Sequence, residues 1–174
     1  LGLFEAYING EKAGDDLLAP FLNDYTEHFQ YCTYDVTSLL AEDNTLSVLL
    51  GDGWYRGHFG LGEPTHYDRP LALIAELRME FADGHRETLC SDSGWQYRGS
   101  FTTLSDIYNG ETQDYTKALG DWKQPVLISA PGRLCDRYSS PLHYMESIPV
   151  KEVIHTPAGE TVLDFGQNFA GHVI

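Results

Sequence analysis

The least strand-like part of the sequence is a glycine-rich segment that carries polar and aromatic side chains. It reads GDGWYRGHFG over residues 51–60. Glycine lets the backbone turn tightly, and Trp and Tyr offer flat apolar faces on which a sugar ring can stack. The candidate sugar contacts here are Asp52, Trp54, Tyr55 and Arg56. The alternative is a packed loop in which Trp54 covers the core, and residue type alone favours that alternative because large aromatic side chains are more often buried than binding.

A second polar cluster reads SDIYNGET over residues 105–112. It groups Asp106, Asn109 and Glu111, with Tyr108 between them. Oxygen ligands at this density can hold Ca²⁺ or accept hydrogen bonds from sugar hydroxyls. The segment does not match an EF-hand loop, which needs ligands at alternating positions and a terminal Glu. The alternative is a polar turn with Asn109 at its tip, and the sequence leaves the identity of any metal unknown.

Motifs of the common enzyme classes are absent from the sequence. It contains no GxSxG, HExxH, P-loop or GxGxxG pattern. Its seven histidines are scattered without the spacing of metal ligands. Because 26 residues are Asp or Glu, carboxylate pairs are abundant and no glycosidase pair stands out.

The elements that must position these segments are predicted to be short β-strands. Odd positions from Leu71 to Phe81 are apolar, and Asp83-Gly84 precedes a return at residues 86–90, which predicts a hairpin. Turn residues predict two more hairpins, at Asn9-Gly10 and at Pro157-Ala158-Gly159. Further strands are predicted at residues 29–34, 46–50, 94–97, 125–128 and 142–148, and one helical turn at 35–40. This pattern indicates an all-β fold, an antiparallel β-sandwich.

A domain boundary is predicted near residue 140. Proline and glycine interrupt the strand pattern there, and a new hairpin begins at Val150. We therefore expect residues 1–140 to form the sandwich and residues 141–174 to be a linker and the first strands of a following β domain. Both ends of the chain are strand-like and lack polar tails, so we expect it to be a piece of a longer polypeptide.

The charge balance excludes two classes of partner. The 174 residues include 11 Lys or Arg and 26 Asp or Glu, which gives a formal net charge of −15. Binding to nucleic acid or to an anionic membrane surface depends on basic residues, so neither partner is expected. The sequence contains neither a membrane-spanning apolar stretch nor a signal peptide, and it leaves the compartment of the parent protein, bacterial cytoplasmic or secreted, undetermined.

Several segments resemble one known family. The runs LGLFEAYINGEKAGDDLLAPFLNDY, QYCTYDVTSLL, LLGDGWYRGHFG, SDIYNGETQDY and VLDFGQNFAGHV follow one another in this order. Together they are similar to the amino-terminal domain of bacterial α-L-rhamnosidases of glycoside hydrolase family 78, and the similarity extends over essentially the whole chain. It implies a β-sandwich of the jelly-roll or galactose-binding-like kind, followed by the first strands of the next β domain.

The resemblance also implies a function for the parent enzyme. Members of this family are large hydrolases that remove terminal α-L-rhamnose from glycosides with inversion, using carboxylates of a downstream (α/α)6 barrel. None of the barrel's motifs occurs here, so the resemblance carries over no catalytic residue. It implies a rhamnose-containing glycan and the other domains of the parent chain as partners.

The resemblance places a sugar-facing rim at the two polar segments. Its candidates are Asp52, Trp54, Tyr55, Arg56, Asp106, Tyr108, Asn109 and Glu111. Some relatives have a sandwich that binds rhamnose with Ca²⁺, through an Asp-Asn pair expected just after the glycine-rich segment. This chain has only Glu63 and Asp68 as acids there.

Three functions follow from these observations. The first is a non-catalytic fragment of an α-L-rhamnosidase that serves substrate recognition or architectural support. The second is a free-standing carbohydrate-binding module, with or without a need for Ca²⁺, and the third is an interdomain scaffold that binds no ligand.

Overall fold

A computed structural model of the chain describes residues 1–60, 70–129 and 132–171, and it is nearly all β. Glu63 and Asp68 lie outside the described residues. The strands are β1 (Leu3–Ile8), β2 (Glu11–Lys12), β3 (His28–Tyr31), β4 (Leu46–Gly51), β5 (Glu76–Glu80), β6 (Arg86–Cys90), β7 (Thr102–Asp106), β8 (Gly110–Gln113), β9 (Arg133–Asp136), β10 (Glu152–His155) and β11 (Thr161–Asp164). A 3-10 turn spans Thr37–Leu39, and one short helix, α1, spans Gly53–Arg56.

The first sheet has three antiparallel strands in the order β2-β1-β4. The turn between β1 and β2 confirms the prediction at Asn9-Gly10, where φ is +54° and +86°. Both values suit a tight hairpin whose twist matches that of its strands. β4 pairs along the whole of β1, from Leu3 opposite Gly51 to Ile8 opposite Leu46. The glycine-rich segment therefore begins at the edge of this sheet.

Three further hairpins are antiparallel, and two of them were predicted from their turn residues. β5 pairs with β6 across Asp83-Gly84, and β10 pairs with β11 across Pro157-Ala158-Gly159. The third hairpin, β7 with β8, has a register shift between Thr102 and Leu104. Its turn contains Asn109, as the polar-turn alternative predicts.

One pair of strands departs from the antiparallel prediction. β3 and β9 pair in parallel, with Phe29 opposite Leu134 and Gln30 opposite Cys135. A parallel pair needs a long connection between its strands. Here about a hundred residues separate the two strands, so the connection is ample. β9 lies in a stretch for which the turn signals predicted no strand.

Some predicted strands are shorter than expected or do not form. β5 begins at Glu76, so the first part of the predicted strand at 71–81 is irregular. Residues 94–97 contribute only a single bridge, between Tyr97 and Lys123. Residues 125–128 and 143–148 are not in strands, although the first of these runs is entirely apolar. Apolar composition predicts burial, but a strand also needs a partner for its backbone.

The core of the sandwich is aromatic. Tyr25, Phe29 and Tyr55 are 3%, 7% and 2% exposed and pack together, with Leu1 and Leu71 against them. The Tyr25 and Tyr55 rings meet edge to face, with 4.9 Å between their centroids. This geometry is the favoured one for aromatic pairs. The core thus joins the glycine-rich segment to the region around β3.

The chain divides into two compact units, Leu1–Leu142 and His143–Ile174. The domain boundary near residue 140 stays a prediction. The second unit contains the β10–β11 hairpin. No helix among the described residues is both long and apolar enough to span a bilayer.

Candidate functional site

The glycine-rich segment folds into one helical turn, α1, that packs on the first sheet. The backbone N–H groups of Tyr55 and Arg56 each donate to the Asp52 carbonyl at 3.1 Å. Gly53 has φ of +51°, and a Cβ there would lie 2.4 Å from Leu3 Cγ. Both its conformation and its contact with β1 therefore require glycine. α1 is thus held against β1 with no space for a larger residue at its start.

Asp106, at the end of β7, connects the two polar segments. Its Oδ2 accepts hydrogen bonds from the His58 backbone N–H at 2.7 Å and lies 2.9 Å from His58 Nδ1. Its Oδ1 accepts from the backbone N–H groups of Tyr108 and Asn109, both at 2.8 Å. The Asn109 side-chain amide lies 2.8 Å from the same His58 nitrogen. We call these four residues, His58, Asp106, Tyr108 and Asn109, the Asp106 clamp.

The electrostatics of the clamp keep Asp106 ionised. Its side chain is only 4% exposed, and burial alone would raise the pKa of its carboxyl group. The hydrogen bonds from His58, Asn109 and Tyr108 outweigh that effect and hold the pKa well below its usual range. Because an ionised carboxylate only accepts hydrogen bonds, His58 Nδ1 bonds to it only in the ring form that has a proton on Nδ1. The other ring nitrogen, Nε2, belongs to a side chain that is 38% exposed.

The backbone at Gly57 completes the clamp. A Cβ at this position would lie 2.5 Å from the Gly53 carbonyl oxygen and 2.6 Å from Asp106 Oδ2. Neither atom belongs to a flexible side-chain end, since the carboxylate is fixed by four donors. The close approach of backbone and carboxylate therefore depends on glycine at 57.

The predicted rim residues of α1 have different environments. Tyr55 is buried in the core, so the prediction that it faces a sugar is wrong. Successive residues of a helical turn point in directions about 100° apart, and Tyr55 takes the inward one. Trp54 is partly buried, with its ring 5.1 Å from that of Phe21. Asp52 and Arg56 are partly exposed and form an ion pair at 3.6 Å.

The predicted rim residues of the second segment are mostly exposed. Tyr108 is 53% exposed, and Asn109 and Glu111 are exposed as well. Glu111 accepts a hydrogen bond from the Gln113 side chain at 2.5 Å. Asp106 differs from these residues because its side chain is buried and both of its oxygens accept hydrogen bonds from the backbone. It holds the other groups in position, and its oxygens are not available to a ligand.

Sequence reasoning missed His58. The structure brings it to Asp106, which is 48 residues away in the chain, and to Asn109. The sequence holds one local signal for His58, its place directly after Gly57. That place points to a role for His58 only once β7, which ends at Asp106, is known to lie beside α1.

The described residues of the clamp do not offer a Ca²⁺ site. Calcium binds six to eight oxygen ligands. Both oxygens of Asp106 are already surrounded by N–H donors, which present positive charge to the carboxylate and would be displaced by a cation.

A second buried carboxylate, Asp16, ties together distant parts of the first unit. Its side chain is 6% exposed and pairs with the guanidinium of Arg137, just after β9. The Tyr34 hydroxyl donates to it at 3.0 Å. Burial, together with the Cys32 and Asp16 charges, raises the pKa of Tyr34. The Asp16 group therefore joins the chain around the first hairpin to the end of the parallel pair.

Comparison with known proteins gives a consistent set of similarities. The sequence profile of the α-L-rhamnosidase N-terminal domain matches residues 1–152. An α-L-rhamnosidase of Streptomyces avermitilis is 34% identical over 186 residues, which cover 99% of this chain and 18% of that protein.

Solved structures agree with the sequence comparison. The crystal structure of Streptomyces avermitilis α-L-rhamnosidase complexed with L-rhamnose matches with a TM-score of 0.85 and 33% identity, over 96% of this chain and 18% of that chain. The structure of an α-L-rhamnosidase from Aspergillus terreus matches with a TM-score of 0.80 and 32% identity, over 96% and 21%. The chain therefore spans about a fifth of the length of these proteins. The match confirms the predicted β-sandwich.

Proposed function

The chain belongs to the α-L-rhamnosidase N-terminal domain family, and on that premise we propose that it is a non-catalytic part of an enzyme that hydrolyses terminal α-L-rhamnose from glycosides. In this proposal the chain contributes to carbohydrate recognition through the exposed groups around the Asp106 clamp. The hydrolytic carboxylates belong to the rest of the parent polypeptide.

The observation that carries the non-catalytic role is the state of Asp106. An inverting glycosidase needs one carboxylic acid with a raised pKa to protonate the leaving group and one carboxylate free to activate water. Asp106 is the buried acid at the junction of the two polar segments, but its pKa is lowered. Its two oxygens already accept from His58, Tyr108 and Asn109. It can therefore act neither as a proton donor nor as a base toward water.

Recognition is supported by the groups that the clamp leaves exposed. His58 Nε2 can form a hydrogen bond with a sugar hydroxyl, and the Asn109 amide can donate or accept one. Tyr108, 53% exposed, offers a ring face and a hydroxyl beside them in the sequence. Such groups suit a neutral sugar, which has hydroxyls and apolar C–H faces but no charge. The related Streptomyces avermitilis structure is described as a complex with L-rhamnose, which makes that sugar the first ligand to test.

Calorimetric titration of the chain with L-rhamnose tests the recognition proposal. We expect binding by the wild type, weaker binding by Asn109→Ala and Tyr108→Ala, and unchanged binding by Tyr115→Ala. Tyr115 is the matched control because it is also an exposed tyrosine, 72% exposed, but lies outside the clamp. Equal affinity of the Tyr108 and Tyr115 variants would contradict a sugar site at the clamp. Repeating the titration with Ca²⁺ and with a chelator tests whether a cation takes part.

The second candidate function is architectural support without a ligand. It is favoured by the Asp106 carboxylate, which accepts hydrogen bonds from both polar segments, as expected of a group that fixes two loops. The same titration separates the two functions. If no variant and no condition binds L-rhamnose, while substitution of clamp residues still lowers the stability of the parent enzyme, the support function stands and recognition fails.

A further inference from the structure

An apolar segment near the end of the first unit has no strand partner. It consists of Val126, Leu127 and Ile128, which are 85%, 67% and 57% exposed. Because the side chains of an extended segment alternate between its two sides, three exposed neighbours leave apolar surface uncovered on both sides. Large apolar side chains in such a run are normally buried. We call residues 125–128 the unpaired segment.

The backbone of this segment also lacks partners. Just before it, Lys123 and Tyr97 exchange two hydrogen bonds, Lys123 N–H to the Tyr97 carbonyl at 2.8 Å and Tyr97 N–H to the Lys123 carbonyl at 2.9 Å. The ladder ends there, and residues 126–128 make no backbone hydrogen bond to any residue that the structure describes. Their N–H and C=O groups therefore form an open edge, which a further strand can join.

The sequence of the segment is that of an interior strand. Val and Ile are β-branched, and a continuous apolar run is typical of a strand covered on both faces. Pro125 stands at its first position, which is one of the few places where a strand tolerates proline. Sequence and structure thus differ at this point: the residues specify a strand, and the described part of the chain supplies no sheet for it.

We propose that the unpaired segment pairs with a strand from the part of the parent polypeptide that lies outside residues 1–174, and that it joins this domain to its neighbour. The chain spans about a fifth of the length of its relatives, so four-fifths of such a polypeptide is available to cover the segment. The proposal rests on the membership of the chain in a larger rhamnosidase, which is part of the proposed function. It does not depend on sugar binding.

Site-specific photo-crosslinking in the full-length parent protein tests this proposal. A photoreactive phenylalanine analogue replaces Leu127, and the crosslinked peptides are identified by mass spectrometry. The matched control carries the analogue at Ile74, which is 60% exposed but is not in an unpaired apolar run. We expect Leu127 to crosslink to one sequence outside residues 1–174 and Ile74 not to crosslink to that sequence. A crosslink within residues 1–174, a crosslink to a second copy, or no crosslink would each overturn the proposal.

Hydrogen exchange in the same full-length protein gives an independent readout. We expect the amides of residues 126–128 to exchange at least about 100-fold more slowly than those of an unstructured reference, because pairing engages the backbone. Exchange at the reference rate would overturn the proposal. Loss of rhamnose binding in the titration above would leave both readouts unchanged, so failure of the recognition proposal is distinguishable from failure of this one.

Discussion

Substitution of Asp106 by Asn removes the charge of the clamp while keeping the shape of the side chain. The amide of Asn has one oxygen and one NH₂ group. With its NH₂ toward Tyr108 and Asn109, the amide faces two backbone N–H donors. With its NH₂ toward His58, it faces one backbone N–H donor and a ring nitrogen that can accept once its proton is on Nε2. In either orientation at least one hydrogen bond to a buried carboxylate is lost, and at least one backbone donor is left facing another donor.

The expected cost follows from these lost bonds. A hydrogen bond to a charged group contributes about 1.5–3 kcal/mol, and the oxygen that remains still accepts from two donors. The loss of one such bond at a side chain that is 4% exposed, together with about 1–3 kcal/mol for the buried donor left without an acceptor, is therefore expected to lower the free energy of unfolding by roughly 3 kcal/mol. For a chain of this size that corresponds to a fall in Tm of about 6–12 °C.

Urea and thermal unfolding of the 174-residue chain, followed by tryptophan fluorescence and circular dichroism, measure this loss. Asp114→Asn is the matched control, because Asp114 also accepts two hydrogen bonds from a neighbouring residue, Thr116, but is exposed to water. We expect the control to unfold close to the wild type. If Asp106→Asn were no less stable than Asp114→Asn, the clamp would not hold the two segments together and the argument for the role of Asp106 would fail.

Three further predictions concern the same contacts. The pKa of Asp106 is lowered in the folded chain, so its contribution to stability should be complete above about pH 5 and be lost as the pH falls below about 4. The Tm difference between wild type and Asp106→Asn should therefore shrink on acidification, and a constant difference would contradict this. Gly57→Ala should lower the free energy of unfolding in urea by about 1–3 kcal/mol, because the added Cβ collides with the clamp. Gly99→Ala is the control, because its Cβ would meet only a carbonyl oxygen at 3.4 Å, and it should lose less stability. Arg137→Met should lower the free energy of unfolding by roughly 2–4 kcal/mol in the same assay, because it removes the guanidinium that pairs with the buried Asp16 carboxylate. A variant as stable as the wild type would show that this ion pair does not stabilise the fold.

Much of the fold could be predicted from the sequence where local chemistry decides it. Asn9-Gly10 adopts positive φ at both residues, which few other pairs do without strain, so this hairpin was visible in the sequence. The Asp83-Gly84 hairpin was also visible, although there only the glycine has a positive φ, +84°. The family resemblance, carried by ordered motifs, is confirmed by the profile match over residues 1–152.

The rest depends on contacts between distant residues. The parallel pairing of β3 with β9 joins residues about a hundred positions apart, and no turn signal marks it. His58 gains its role only from Asp106, and Tyr55 is buried because α1 turns that side chain toward Tyr25. Residue type picked out the two segments that meet at Asp106, and sugar binding by them stays a prediction. It could not separate the residue that fixes the loops from those that remain exposed.

The most direct test of the account is hydrolysis of an aryl α-L-rhamnoside by two proteins, the 174-residue chain and its full-length parent, at equal molar concentration. We expect release of the aryl group by the parent and none above the buffer rate by the chain, because the account places the hydrolytic carboxylates outside it. Turnover by the 174-residue chain alone, abolished by substitution of one of its own carboxylates, would contradict the central claim that this domain is non-catalytic.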